Sequence, residues 1–212
     1  ADEINRGTPK TQSALLEAMQ EQQVTVEGQS FALDKPFMVI ATQNPLEFEG
    51  TYPLPEAQID RFLARLSMGY PSPEAECEML ARRQSRQADA VILSPVLSKQ
   101  DFLEIQRAIE TVHVNPDIHN YIVQIVTKTR VDRRVQLGAS PRGSLALFKL
   151  SRSRAMMQGR DFVTPDDVKA VAVPALAHRV LLRPELWAER ISGETVVRDA
   201  LDDVPVPKAE WR

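Results

Sequence analysis

The run Phe37–Thr42, FMVIAT, is apolar on consecutive positions rather than on alternate ones. A strand with one wet face alternates. An unbroken run of this length, stopped by Gln43, Asn44 and Pro45, therefore reads as a strand covered on both faces. Such strands sit inside parallel sheets clad by helices, which confines the first part of the chain to an α/β architecture. The flanking patterns agree. Thr8 offers an N-cap oxygen and Pro9 suits the first helical position, and Leu15, Leu16 and Met19 share one face of a helix expected over Pro9 to Gln23. Val24 and Val26, then Phe31 and Leu33, alternate about Gly28 as a β-hairpin does.

After a short helix opening at Pro55, the stretch FLARLSMGY, Phe62 to Tyr70, reads as another strand, and Pro71 and Pro73 stop it. Beyond them strand signals cease. Helical patterns are expected over Pro73 to Gln87, Lys99 to Thr111, Pro116 to Thr129, Pro141 to Gln158 and Pro165 to Val173, with Pro174 kinking or ending the last. The expected organisation is an α/β segment over 1–70 and an all-α segment over 71–212, with the tail DDVPVPKAEWR loosely held.

Charge divides along the same line. Residues 1–70 carry ten Asp/Glu against five Lys/Arg, whereas 71–212 carry 19 against 21. A net charge of -3 with no like-charge run gives no reason to expect a nucleic acid or an anionic membrane as partner, and the acidic front suits a divalent cation. The arginine-rich ARRQSR has no interleaved aromatics and reads as a solvated helix face. Cys77 is the one cysteine, expected to serve packing, and no apolar stretch approaches a membrane span. A cytoplasmic location is the expectation.

Asp2 and Glu3 precede the first helix, and Asn44 follows the apolar run. In an open parallel sheet, ligands bind at the C-terminal strand ends, so these three meet at one crevice if their strands are neighbours. Magnesium-dependent phosphoryl transfer uses such a set. Asp2 would hold Mg²⁺ or its water, Glu3 would accept a proton from the attacking water, and Asn44 would orient that water or the γ-phosphate. Alone, Asn44-Pro45 is equally a turn opener. Arg61 follows the short helix and reads either as a surface arginine in an ordinary ion pair or as an arginine finger given in trans, with Arg65 in reserve. Asp60 lies too near in sequence to be an obvious clamp for it. Ser140 can cap a helix opened by Pro141, which places Arg142 in its first turn, as an anion ligand or as a plain exposed arginine.

Other chemistries find no support. Gly138 and Gly143 are spaced as in a P-loop, but Ser144 and Leu145 stand where Lys and Ser/Thr are required, and no other glycine builds that cradle. His113, His119 and His178 have no metal-ligand spacing, and no serine lies in GxSxG.

The stretch from ADEINRG through AQIDRF, with GASPRGSLAL and VTPDDVKAVAVPALAHR, resembles the MoxR family of AAA+ ATPases over essentially the whole chain. The resemblance implies that Asp2 and Glu3 are Walker B carboxylates, Asn44 is sensor 1, Arg61 is the arginine finger and Arg142 is sensor 2. It implies Mg²⁺ and ATP, a homo-oligomeric ring, most simply a hexamer, partners with von Willebrand factor A domains, and work in remodelling or metal-cofactor insertion. Residues 24–33 match the hairpin this clade inserts before the sensor 1 strand. The family's P-loop has no counterpart in these residues, so the expected fold class is a truncated AAA+ parallel sheet starting inside Walker B, followed by an all-α lid and inactive alone. The alternatives are a non-hydrolysing interaction scaffold and a magnesium-chelatase-like motor subunit.

Overall fold

The computed structural model describes residues 1–44, 50–186, 189 and 191–208. Pro45 and the tail end Ala209–Arg212, on which two of the sequence expectations bear, lie outside them. A 3-10 turn at Ile4–Arg6 leads into α1, Pro9–Glu21, and then into the hairpin of β1, Gln23–Val26, and β2, Gln29–Ala32. Thr8 caps α1 as its sequence position predicts, through the Thr11 amide. Gln12 is buried on α1, and its Nε2 donates to the carbonyls of Ile4 and Tyr52, at 3.2 and 2.9 Å. That amide fastens the helix to the chain on both sides of the candidate site.

Two expected strands come out differently. Residues 37–42 are extended, and the Ala1 amine donates to the Ile40 carbonyl while the Thr42 amide donates to that of Ala1. This is the bonding of two parallel strands. The side chains are not covered on both faces, however: Phe37, Val39 and Ala41 are half-buried, whereas Met38 and Ile40 point outward, with Ile40 69% exposed. One short flank cannot cover two faces, so the apolar run shows a period of two that its composition hides. Residues 62–70 form no strand, and Tyr70 is 95% exposed. Their backbone turns instead to the helices, where the Arg65 amide donates to the Pro174 carbonyl at 2.9 Å.

After the short α2, Glu56–Ile59, come α3, Pro73–Arg86, and α4, Lys99–Glu110, neither of which buries a residue. Cys77 on α3 is accordingly exposed, not packed as expected. The core lies in α5, Pro116–Val131; α6, Pro141–Met157; α7, Pro165–Leu176; and α8, Gly193–Asp203. On α5, residues Ile118, Tyr121, Ile122, Ile125 and Val126 recur at helical spacing and are all buried. They meet Leu147 of α6, Val168 and Leu176 of α7, and Val197 of α8.

This helical part also holds strands that its pattern did not announce: β3, Val135–Leu137, pairs antiparallel with β4, Leu181–Leu182. Nor does α7 end at Pro174. It runs on to Leu176, and a 3-10 turn at Ala177–Arg179 succeeds it. Gly143 belongs to packing here. A Cβ on it would lie 2.9 Å from Leu176 Cδ2 and 3.2 Å from Ala139 Cβ, so a side chain there would press on both where the α6 N-terminus meets α7.

Candidate functional site

Thr42 joins the first group of candidate residues. Its hydroxyl donates to Asp2 Oδ1 at 2.5 Å and accepts from the Glu3 amide at 2.8 Å, while its carbonyl accepts from the Ile4 amide at 3.0 Å. Asp2 and Glu3 are thus held beside the end of the extended run that leads to Asn44, as neighbouring strands require. Glu3 has a left-handed backbone, φ 44° and ψ 57°, a conformation costly for a residue with a Cβ. Its carboxylate takes an ion pair from Arg6 Nε at 3.1 Å. Asp2, Glu3 and Thr42 present hard oxygen donors only, which fits Mg²⁺, an ion commonly held by one or two carboxylates together with phosphate oxygens. Among the described residues no three His, Cys, Asp or Glu side chains are grouped to hold a metal by themselves.

The second group centres on Asp60, at the end of α2. Its two carboxylate oxygens accept from the Ser140 hydroxyl at 3.0 and 2.8 Å; Oδ1 also accepts from Arg179 Nε at 3.0 Å, and Oδ2 from Arg142 Nη1 at 3.5 Å. Ser140 is the N-cap of α6 and receives the Arg142 amide at 3.1 Å, so the expected cap is present and the carboxylate bonds directly to it. Arg142 is half in water, its side chain 50% exposed. Arg61 takes no part in this cluster: its Nε donates to the Ala57 carbonyl at 3.3 Å, within its own turn.

Arg179 is the buried member, its side chain 2% exposed against 15% for Asp60. Its Nη2 donates to the carbonyls of Asp60 and Phe62, at 3.0 and 2.6 Å, and Nη1 reaches those of Ala175 and Leu63. All five guanidinium N–H groups therefore face acceptors, the condition for burying that charge. Burial pulls Arg179 below the usual arginine value, and the Asp60 charge opposes it. Beside it, His178 Nε2 lies 3.2 Å from the Phe62 carbonyl and 2.7 Å from Arg179 Nη1, while Nδ1 is buried with no partner among the described residues. Burial, and next the Arg179 charge, push His178 down to about 4. The ring is neutral at pH 7.

Sequence reasoning singled out Arg142 and the Ser140 cap, but not Asp60 as a clamp, and it did not consider Arg179. In the sequence Asp60 adjoins Arg61, whereas its partners Ser140 and Arg179 stand 80 and 119 positions away. The one mark near Arg179 in the sequence is Pro174, inside an apolar helical pattern that ends in the basic pair His178-Arg179.

Residues 1–64 match the ATPase family associated with various cellular activities (AAA), and residues 127–200 match the AAA lid domain. The uncharacterized protein YeaC of Bacillus subtilis is 52% identical over 98% of this chain and 64% of its own length. Chaperone MoxR1 of Mycobacterium tuberculosis is 43% identical over 98% of this chain and 57% of its own. The chain belongs to the MoxR family of AAA+ ATPases. A crystal structure from Cytophaga hutchinsonii, 40% identical, superposes with a TM-score of 0.92 over 98% of this chain and 66% of that one. The MoxR chain therefore has an AAA+ ATPase-like fold with a helical lid domain, and it spans about three fifths of the curated relatives it matches. Nucleotide binding is what membership of this family implies. Among the described residues no helix is long and apolar enough to cross a membrane.

Proposed function

We propose that the whole protein is a Mg²⁺- and ATP-dependent motor of the MoxR type, which remodels client proteins or inserts a metal cofactor in the cytoplasm. The observation that carries this reading is the Thr42 junction, which holds Asp2 and Glu3 side by side next to the run that leads to Asn44. Glu3 takes a proton from the attacking water, and Asn44 orients that water against the γ-phosphate. Asp2 is the residue that would hold Mg²⁺, which when bound neutralises charge on the phosphate oxygens. Arg142, at the start of α6, reaches the nucleotide from the lid. Arg61 completes the site of a neighbouring subunit, which calls for a ring, a hexamer in the simplest form. A protein with a von Willebrand factor A domain is the proposed partner.

The test is steady-state ATP hydrolysis by the full-length protein beside its Glu3→Gln variant. The variant is expected to bind ATP and to lose turnover by about 10²- to 10⁴-fold, the usual contribution of a general base. Equal turnover in the two proteins refutes the role given to Glu3, and none in either refutes the motor reading and favours an interaction scaffold.

A further inference from the structure

Glu3 and Arg6 are joined twice. The Arg6 amide donates to the Glu3 carbonyl at 2.8 Å, which closes the 3-10 turn, and Arg6 Nε pairs with Glu3 Oε2 at 3.1 Å. A 3-10 turn stacks side chains three positions apart, so carboxylate and guanidinium meet without a long reach. The turn is held from outside. Ile4 is buried, its amide donates to the Thr42 carbonyl at 3.0 Å and its carbonyl accepts from Gln12 Nε2 at 3.2 Å, while the Tyr52 amide donates to the Asn5 carbonyl at 2.6 Å. With the Thr42 hydroxyl on the Glu3 amide, these bonds fix the backbone of both residues, including the left-handed conformation of Glu3. What they leave open is the direction of the two side chains. The geometry points to Arg6 as a positioning residue for Glu3, holding Oε2 so that Oε1 is the oxygen turned to the attacking water.

A general base must lie within hydrogen-bond reach of the proton it removes. A glutamate side chain turns about several bonds, and an unanchored one spreads over several staggered rotamers. The pair with Arg6 selects among them. Its side chains are 31% and 55% exposed, and a pair that open to water adds little to folding stability, so its effect falls on where the carboxylate points. Asp2 is held by a different group, the Thr42 hydroxyl, at 2.5 Å. The two adjacent carboxylates therefore have separate keepers, a hydroxyl for the one proposed to hold Mg²⁺ and a guanidinium for the one proposed to take the proton. This inference rests on the motor reading proposed above.

Kinetics and melting of the full-length protein test it, with Arg6→Ala set beside the wild type and Glu3→Gln. Arg6→Ala is expected to lower kcat about 10-fold, within the loss that a misplaced reacting group brings, at an unchanged KM for ATP. Its melting midpoint is expected to match the wild type. An unchanged kcat, a loss carried by KM alone, or a fall in kcat matched by a fall in the midpoint overturns the inference, because Arg6 then serves nothing, the nucleotide or the fold. A second measurement asks whether Arg6 acts through Glu3. In the Glu3→Gln background, Arg6→Ala is expected to change neither the residual single-turnover rate nor the affinity for ATP in a binding titration, since two groups that act as one are not additive. A further loss of about 10-fold in either also overturns the inference. An active wild type, a crippled Glu3→Gln and an unimpaired Arg6→Ala sink this inference alone and leave the motor reading standing. An inert wild type overturns the motor reading and this inference with it.

Discussion

Asp60 and Arg179 lie 119 residues apart in sequence and share a charge-assisted hydrogen bond of 3.0 Å between Oδ1 and Nε. The bond closes the chain around the start of the helical part, because Arg179 also takes up the carbonyls of Asp60 and Phe62. Removing one partner of a buried pair leaves the other charge uncompensated, which costs about 3–5 kcal/mol. Asp60→Ala is expected to lose stability on that scale in urea denaturation, and Asp60→Asn, which keeps an acceptor, to lose less. A loss below ~1 kcal/mol for Asp60→Ala would show that Arg179 is compensated without its carboxylate.

The neighbouring His178 makes this contact sensitive to acid. Its folded value, about 4, lies below its ordinary 6.5, because burial and the Arg179 charge disfavour imidazolium. The unfolded chain therefore binds the proton first as pH falls. The stabilising contribution is complete above about 6.5 and is lost as pH falls through 4, amounting to about 2–3 kcal/mol once partial solvent access is allowed for. Asp167 acts in a separate, lower window. Burial raises its carboxyl, but hydrogen bonds from Arg160 and Thr164 outweigh that and hold it below the usual carboxylate range. His178→Gln should flatten the stability profile between pH 6.5 and 4. An unchanged slope in that interval would place the titrating group elsewhere.

Gly193 opens α8 directly against the 3-10 turn at Ala177–Arg179. A Cβ there would fall inside contact distance of the Ala177 carbonyl oxygen, a backbone atom that cannot swing aside. Gly193→Ala is expected to cost about 1–3 kcal/mol, the range for overpacking a close contact. Thermal denaturation of the variant checks it, and an unchanged midpoint would mean that the two elements separate freely.

Local chemistry made the helix starts legible. Thr8-Pro9, Ser72-Pro73, Asn115-Pro116, Ser140-Pro141 and Thr164-Pro165 each open a helix, because the cap and the fixed proline φ act within a few residues. The α8 helix opens at Ser192-Gly193 with no proline to mark it, although Val196, Val197 and Ala200 lie at helical spacing. Burial was less legible. FMVIAT has the composition of a doubly covered strand, but covering depends on what packs against it, and here Met38 and Ile40 face outward. Within the candidate site, Asp2, Glu3 and Arg142 were candidates by their motif residues. Asp60 was not, since its partners Ser140 and Arg179 stand 80 and 119 positions away and nothing around Ile59-Asp60-Arg61 announces them.

One carboxylate with two arginines separates function from stability. Arg142 meets Asp60 at 3.5 Å with half its side chain in water, a pair worth less than about 1 kcal/mol. Arg179 meets it at 3.0 Å out of solvent, where lysine cannot reproduce a five-donor planar fork. Arg142→Ala should therefore leave the denaturation midpoint nearly unchanged and reduce ATP turnover by about 10- to 100-fold, through loss of one charged hydrogen bond to phosphate worth roughly 1.5–3 kcal/mol. Arg179→Lys should do the reverse in the first respect, lowering the midpoint by the equivalent of about 2–4 kcal/mol. Paired urea melts and ATPase assays on the two full-length variants decide between these roles. If Arg142→Ala destabilises the fold as much as Arg179→Lys does, then Arg142 is a structural member of the clasp and the nucleotide-sensing role proposed for it is wrong.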